Sequence, residues 1–331
     1  MFQLRPSSTP EELRSKPLSL SSKVQQPWRN AYLETYACPE GTVLIRRTSK
    51  EDLIRAKTFS ESFHSSASTF YPNALFVQPY VEHVAWRHLF NKSDISTPPV
   101  MHGLQAEIQI DNPVVQENQP SASILLAEGG PANLFSTIMA GWMVSPTLYG
   151  DNGTHLSVFW RDGPTNGCFN MLCPGFVQVS STTPIGGSFH RISGYGGQAY
   201  SFIGGIYQDV KSLNWWLTIV ANNVSTNIGY FPRETIPYLT NTANYIAWGG
   251  LVTTLPNTPS PPMGNGHYPD GDFNKVSVML NLMYVDDTYT SVKPLDSRLW
   301  ENGIDGCYDI KYFENYEVGK LIQFGGPGGN C

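Results

Sequence analysis

The sequence predicts an all-β protein, an antiparallel β-sandwich of two packed sheets or a barrel, preceded by a small mixed α/β segment. Charged residues make up 15% of the 331 residues and aromatic residues 12%, and there are 30 Gly and 25 Pro. An ordinary soluble domain carries roughly 25% charged residues, and a disordered chain is poor in aromatic residues. Short alternations of apolar and polar residues recur between clusters of Gly, Pro, Asn and Asp. This is the pattern of strands joined by turns.

The first part of the chain carries the helix signals. Helices are predicted over residues 9–16 and 49–57, because a threonine before each is followed three residues later by a glutamate, as in a capping box. The second box begins at Thr48. Between the helices, residues 38–47 predict a turn and a short strand. Residues 58–78 are rich in Ser, Phe and Tyr without a clear period, which predicts a linker.

The rest of the chain is dominated by strand signals. Residues 104–110 (LQAEIQI) alternate strictly, so their apolar side chains share one face and Glu107 lies with polar neighbours on the other. Glu107 is therefore predicted to be a solvated strand residue. Further strand candidates are residues 155–160, 199–210, 214–222, 245–252 and 275–285.

The charge distribution excludes one class of partner and suggests an internal contact. The net charge is −6, which argues against nucleic-acid binding because phosphates need a basic face. Residues 1–60 carry a net charge of +4 and the remainder −10, so the two parts are predicted to attract each other.

Two features bear on the compartment. No stretch approaches the roughly 18–20 apolar residues of a transmembrane helix, and Met1 does not open a signal peptide, which we expect upstream of it. Asn-x-Ser/Thr triplets, candidate glycosylation sites of a secreted protein, begin at Asn91, Asn152 and Asn223.

The five cysteines indicate disulfides rather than a metal site. Cys168 with Cys173 and Cys307 with Cys331 are the expected pairs in an oxidising compartment. No second close Cys or His pair completes a set of four ligands, so no metal and no other cofactor is expected. Cys38 is left over: its partner lies upstream of this sequence, or it is a free thiol.

Specific strings give the chain a resemblance to a known family. They occur in order along the chain: QQPW (25–28), CPEGTVLIRRTSKEDL (38–53), GLQAEIQI (103–110), IMAGWMVSPTLYGD (138–151), DGPTNGCFNMLCPGFVQ (162–178), NWWL (214–217), IGYFP (228–232), AWGGLV (247–252), MGNGHYP (263–269) and FGGPGGNC (324–331). In these strings the chain resembles the neprosin family of secreted plant proteins. The resemblance implies a glutamic endopeptidase that cuts after proline, with an activation peptide over residues 1–78 (the leader) and a β-sandwich catalytic domain over residues 79–331 (the body). It also implies secretion to the cell wall, the apoplast or the vacuole.

The resemblance implies a catalytic pair of glutamates, which this chain lacks. One ionised glutamate would activate a water, and the other, still protonated, would polarise the scissile carbonyl and protonate the leaving nitrogen. The first family position, before Ala-Gly-Trp, is Met139, and the second, after Trp-Gly-Gly, is Leu251. Neither side chain can take up or give a proton. We therefore expect no catalytic residues and an inactive homologue.

Other carboxylates and histidines have structural explanations that fit them better than catalysis. Turn or loop roles are expected for Asp151, Asp162, Asp209, Asp270, Asp272 and Glu128. No Ser–His–Asp signature and no zinc-peptidase spacing is present.

A peptide-binding groove is the function expected to survive. An aromatic trough suits proline-rich segments, because these are already extended and ordered. Groove candidates are Trp142, Trp160, Trp215, Trp216, Trp248, His267 and Tyr268.

Three hypotheses remain open at the level of sequence. The first is an inactive, monomeric protein that binds proline-rich peptide or a cell-wall glycoprotein, and binds its own leader in cis. The second is an active proline-directed endopeptidase that works at acidic pH with a displaced carboxylate. The third is a degenerate product without a function.

Overall fold

The computed structural model describes residues 28–30, 33, 38–39, 41–66, 81–90, 100–131, 134–164, 166–221, 224–296, 299–302, 306–315 and 318–331. The helix predicted over 9–16 lies outside this range. In chain order the elements are β1 (Trp28–Asn30), α1 (Lys50–Ser66), β2 (Val81–Phe90), β3 (Gly103–Gln109), β4 (Ser121–Gly129), β5 (Ser136–Val144), α2 (Pro146–Tyr149), β6 (Thr154–Asp162), β7 (Asn166–Phe169), β8 (Val177–Gln178), β9 (Ala199–Gln208), β10 (Trp215–Ala221), β11 (Val224–Phe231), a 3-10 turn (Pro237–Leu239), β12 (Tyr245–Thr254), β13 (Ser277–Val285), β14 (Ser291–Val292), β15 (Leu299–Asn302), β16 (Asp309–Asn315) and β17 (Gly319–Gly325).

Two sheets pack face to face, which confirms the predicted all-β sandwich. The seven-stranded sheet has the order β15-β2-β12-β4-β5-β6-β7. The ten-stranded sheet has the order β16-β17-β13-β3-β9-β10-β11-β8, with β14 on β13 and β1 on β9. All pairings of the named strands are antiparallel except that of β1 with β9.

The strands that the alternation predicted are present, and the structure contains further strands that it did not predict, among them β2, β4, β5, β11, β16 and β17. In β4 and β5 every residue is buried. A strand that is covered on both faces has no need for a polar face, so its sequence does not alternate. Strands β4 and β5 were missed for this reason.

The polar face of β3 is largely buried and Glu107 is only partly exposed, so the prediction of a solvated Glu107 is wrong. Ser201 donates a hydrogen bond to Glu107 at 2.5 Å, and the Tyr207 hydroxyl donates one to Gln105. Gln109 on the same face is only 3% exposed. Burial raises the pKa of Glu107 above its usual range, against the lowering effect of the Ser201 bond.

Helix α1 is longer than predicted and begins one residue later than its predicted box. Ser49 accepts from the amide of Asp52 at 3.0 Å, and Asp52 accepts from the amide of Ser49 at 2.7 Å. The capping box is thus Ser49 with Asp52, and not one that begins at Thr48. Residues 58–66 continue the helix, which corrects the predicted linker there. The remainder of that linker lies outside the described residues.

The outer face of the seven-stranded sheet carries a second apolar cluster, which we call the outer cluster. Side chains from α1, α2 and the sheet form it, so this face is covered rather than solvated. Its buried members are Ala56, Phe59, Val84, Trp86, Ala122, Ile124, Leu126, Met139, Met143, Leu148, Tyr149, Phe159, Phe169, Tyr245, Ala247 and Leu251.

Candidate functional site

Met139 and Leu251 line one cavity in the outer cluster. Met139 on β5 faces Leu126, and Leu251 on β12 faces Ala122, so the two residues flank the same strand, β4. Met139 is 6% exposed and Leu251 2%. The cavity is lined by Ile124, Met139, Ala140, Trp142, Met143, Ser157, Val158, Phe159, Phe169 and Leu251.

Two glycines allow the strands beside these side chains to approach each other closely. Gly249 and Gly141 lie on either side of Ile124 in register. A Cβ on Gly141 would lie 2.0 Å from the carbonyl oxygen of Ser123, and one on Gly249 would lie 2.3 Å from that of Ala85. Gly249 also has a φ of +151°, which side chains disfavour. The close approach of β5 to β4 and of β12 to β2 therefore requires both glycines.

The cavity holds no group that can do acid–base chemistry. None of its lining residues is a carboxylate, and Ser157 supplies the only side-chain hydroxyl among them. Phe159 and Phe169 form an aromatic wall, with ring centroids 4.6 Å apart. Such a lining suits an apolar group, because contact with it displaces water without burying a charge.

Glu128 is a strand residue on this face, which corrects its expected loop position. It lies on β4 opposite Thr137, is 1% exposed, and accepts a hydrogen bond from the Thr137 hydroxyl at 2.6 Å. Its charge also acts on buried Arg161, whose pKa burial lowers and Glu128 raises. Glu128 does not line the cavity. Its contacts are those of a buried structural carboxylate.

A Ser–His–Asp grouping that sequence reasoning missed lies beside the cavity. His155 places Nε2 2.8 Å from Asp151 and Nδ1 2.9 Å from the carbonyl oxygen of Gly186, with the Ser188 hydroxyl 3.3 Å from Nδ1. The carbonyl oxygen of Gly186 can only accept, so Nδ1, the nitrogen nearest Ser188, carries a hydrogen. A ring in this state cannot take a proton from Ser188, and the grouping is not a nucleophile triad.

Asp151 has the predicted turn role and a second one. It accepts from the amide of Gly153 at 2.8 Å in addition to its bond with His155. Burial acts to raise its pKa, but these two hydrogen bonds outweigh burial and hold the pKa below its usual range.

The five tryptophans proposed for the groove are buried. Four are 0% exposed and Trp160 is 5% exposed. The indole nitrogens of three of them donate to backbone carbonyls, from Trp142 to Gln109, from Trp215 to Leu239 and from Trp248 to Gln105. Trp142 borders the cavity. Tryptophans with these burials do not line a groove that is open to solvent, so that expectation is wrong for Trp142, Trp160, Trp215, Trp216 and Trp248.

His267 and Tyr268 lie elsewhere, on the loop between β12 and β13. Both are exposed, and neither lines the cavity. The His267 ring centroid is 4.1 Å from that of Tyr195, and the Tyr268 hydroxyl donates to the carbonyl of Gly306 at 2.9 Å.

The other acids shape turns or strand ends. Asp162 accepts from Ser136, Asp209 from Ser212, and Asp270 from the amide of Asp272. Asp272 also pairs with Lys275 at 2.9 Å.

Asp111 had no sequence signal. It is 1% exposed and accepts from Gln109 at 2.9 Å and Ser277 at 2.6 Å. Burial raises its pKa to about 6, although both hydrogen bonds oppose this shift.

The structure contains both expected disulfides, Cys168 with Cys173 and Cys307 with Cys331. Cys38 is free and half-buried.

Asn152 is exposed in its turn, while Asn91 and Asn223 fall outside the described residues. Within the described part of the chain, no group of three or more His, Cys, Asp or Glu could hold a metal ion. Nor, in that part, is any helix long and apolar enough to cross a membrane.

The family profile named Neprosin matches residues 117–327, which is more than half of the chain. The chain therefore belongs to the Neprosin family, as its strings predicted. The matched range contains every residue that lines the cavity. Disulfides and family together indicate an oxidising, extracellular setting.

Remote similarities to solved structures also exist. Two are crystal structures of scytalido-glutamic peptidase, one with a transition state analog inhibitor and one with a peptide-based analog. Both are 7% identical and cover 74% of this chain and 98% of theirs, with TM-scores of 0.42 and 0.39. A third is the β-porphyranase of the human gut bacterium Bacteroides plebeius, 7% identical, with a TM-score of 0.22 over 52% of this chain and 66% of its own.

Proposed function

We propose that this Neprosin-family protein is catalytically inactive and that its cavity binds an apolar group of an extended, proline-rich peptide or a cell-wall glycoprotein. The observation that carries the proposal is the meeting of Met139 and Leu251 in a cavity without a carboxylate. A glutamic peptidase needs one ionised and one protonated carboxyl at this place.

Loss of both carboxyls together need not destabilise the folded protein. Removal of one partner of a buried polar pair leaves the other without compensation, whereas replacement of both by apolar groups can be neutral or stabilising. Met139 and Leu251 also continue the apolar surface of the outer cluster. A folded, inactive protein is therefore the expected result of the double change.

The binding surface differs from the tryptophan trough that the sequence suggested. The aromatic rings at the cavity are Phe159, Phe169 and Trp142, next to Met139 and Met143. A proline ring is compact and apolar and loses little entropy on binding, so its chemistry matches this lining. The protein would act in the cell wall, the apoplast or the vacuole, with a glycan at Asn152.

A peptide digest tests inactivity. The purified protein and the double variant Met139→Glu/Leu251→Glu are incubated with a proline-rich substrate from pH 2 to 7, and products are identified by mass spectrometry. Met143→Glu is the matched control, because it puts a carboxyl into the same cavity at a different position. We expect no cleavage by the unmodified protein or the control.

The outcomes separate the two enzyme hypotheses. Cleavage after proline by the double variant alone would support an intact binding surface that lacks only its carboxyls. Cleavage by the unmodified protein would overturn the proposal and favour a displaced carboxylate. Glu128→Gln would then show whether Glu128 supplies it, because Glu128 lies on the same sheet face.

Calorimetric titration with a proline-rich peptide tests binding. Leu251→Asp should weaken binding at least tenfold, because a charge enters the apolar cavity. Tyr268→Ala, on the exposed loop, should leave affinity unchanged. Weaker binding by Tyr268→Ala together with unchanged binding by Leu251→Asp would place the peptide on the loop and not in the cavity.

A further inference from the structure

We infer that residues 28–66 of the leader are a permanent structural part of this protein, which remains bound to the body after the chain between Ser66 and Val81 is cut. The resemblance implied an activation peptide, a role in which a segment is removed. The contacts of the described leader residues are instead those of an integral element, at three separate places.

The first place is the ten-stranded sheet and the main core. Strand β1 pairs in parallel with residues 199–201 of β9, next to the stretch of β9 that pairs with β10. Leu33 follows, bridges to Phe189, and is 2% exposed within the main core. Removal of this segment would open the edge of β9 and leave a gap in the core, and both changes are costly.

The second place is the stretch between Leu33 and α1. The buried amide of Gln178 in the body donates to the carbonyl of Leu44, and Arg46 donates to the carbonyl of Tyr149 at 3.2 Å. Gln178 also accepts from the amide of Ile185 at 3.0 Å, so its orientation is fixed. The body therefore holds the Gln178 amide in the orientation in which it donates to the leader backbone.

The third place is the outer cluster. The Phe59 ring of α1 lies 4.9 Å from that of Phe169, and Phe59 is 4% exposed. Ala56, one turn earlier, is 9% exposed in the same cluster. Phe169 lines the cavity, so release of α1 would expose apolar surface beside it.

Charge contributes little to these contacts, in contrast with what the charge distribution suggested. Arg55 pairs with Asp52 inside the leader. Arg46 is exposed, and it acts on Asp151, which is itself half exposed and bonded to His155. Exposed pairs are weak and screened by salt, whereas buried apolar and backbone contacts are not.

The test uses the full chain with a specific protease site inserted within residues 67–80. After complete cleavage, gel filtration is run in 0.15 M and in 1 M NaCl. We expect the two fragments to elute together at both salt concentrations. Release of the leader fragment at either concentration would overturn the inference, and release at 1 M only would show that charge holds it.

Two variants locate the contact. Phe59→Asp should release α1 from the body in the cleaved protein, seen as faster hydrogen exchange in Phe169 and its neighbours. Leu53→Asp is the control, because Leu53 on the same helix is 48% exposed. Equal exchange in both would contradict the role of Phe59.

A third readout needs no substitution. In the cleaved protein without a further substitution, the amides of Ala199 and Ser201 should stay as protected as in the intact chain, whereas that of Tyr200 is bonded to Ser193 within the body. Exchange at the unfolded rate would overturn the inference even if Phe59→Asp does not fold.

Discussion

At the scale of single residues, one glycine limits how β4 and β5 can pair, and one buried acid, Asp111 after β3, has a raised pKa. Gly141 on β5 pairs with Ile124 on β4 and lies against the backbone of Ser123. The string Ala-Gly-Trp thus contains a steric requirement at its centre. Of the two family positions, Met139 lies on the same strand as Gly141 with one residue between them, and Leu251 lies on β12, on the other side of β4.

Gly141→Ala should destabilise the protein by roughly 2–3 kcal/mol, because its Cβ would meet the Ser123 carbonyl at 2.0 Å and force the strands apart. Denaturant unfolding measures the change. Gly194→Ala is the control, since a Cβ there has no neighbour within 4 Å. Equal stability of the two variants would show that the strands can relax.

Asp111 should make stability fall as pH rises. Burial raises its pKa to about 6 from the usual 3.8, so the folded state holds this proton more tightly than the unfolded chain. The contribution is complete below about pH 4 and is lost as pH passes 6, with a total of about 3 kcal/mol.

Asp111→Asn removes this titration while keeping the size of the side chain. Unfolding free energies between pH 4 and 7 should decline less in this variant than in the unmodified protein. Parallel pH profiles would contradict a raised pKa.

At the scale of elements, the capping-box signal of α1 correctly predicted a helix but placed its start one residue too early. Thr48 with Glu51 and Ser49 with Asp52 both have the spacing of a capping box. In the structure Ser49 caps, and the Thr48 hydroxyl reaches only the carbonyl of Arg46 at 3.5 Å. The helix then continues past the predicted end to bury Phe59, a tertiary contact that no local pattern contains.

Ser49→Ala should cost about 1 kcal/mol in the local stability of α1, because the amide of Asp52 loses its acceptor. Hydrogen exchange of the α1 amides measures this as a roughly fivefold increase in rate. Thr48→Ala, the control, should have little effect. A larger effect from Thr48→Ala would mean that the box begins at Thr48.

At the scale of the whole molecule, the seven-stranded sheet is covered on both faces. It packs on the ten-stranded sheet with one face, and carries the outer cluster with the other. The cavity therefore lies within the outer cluster, in which α1 of the leader also packs. The Cys307–Cys331 disulfide joins the segment before β16 to residue 331.

Loss of the Cys307–Cys331 disulfide in Cys307→Ser/Cys331→Ser should lower stability by about 3 kcal/mol, because the bond closes a loop with a sequence separation of 24. Thermal unfolding with and without reductant measures it. Cys38→Ser, which removes the free thiol, is the control. An unchanged melting temperature in the double variant would mean that strand pairing alone holds the C-terminal segment.

The sequence by itself determined the all-β class, the alternating strands, the family, and the apolar character of positions 139 and 251. These follow from composition, periodicity and strings, which are local properties. Only the tertiary structure decided that Glu107 is partly buried and the five tryptophans are buried, that Glu128 is a strand residue, and that residues 58–66 are helical. Alternation shows which side chains share a face, but what covers that face comes from distant parts of the chain. For the same reason, strands buried on both faces, such as β4 and β5, gave no signal, and the steric requirement at Gly141 and Gly249 appears only when the strands are paired.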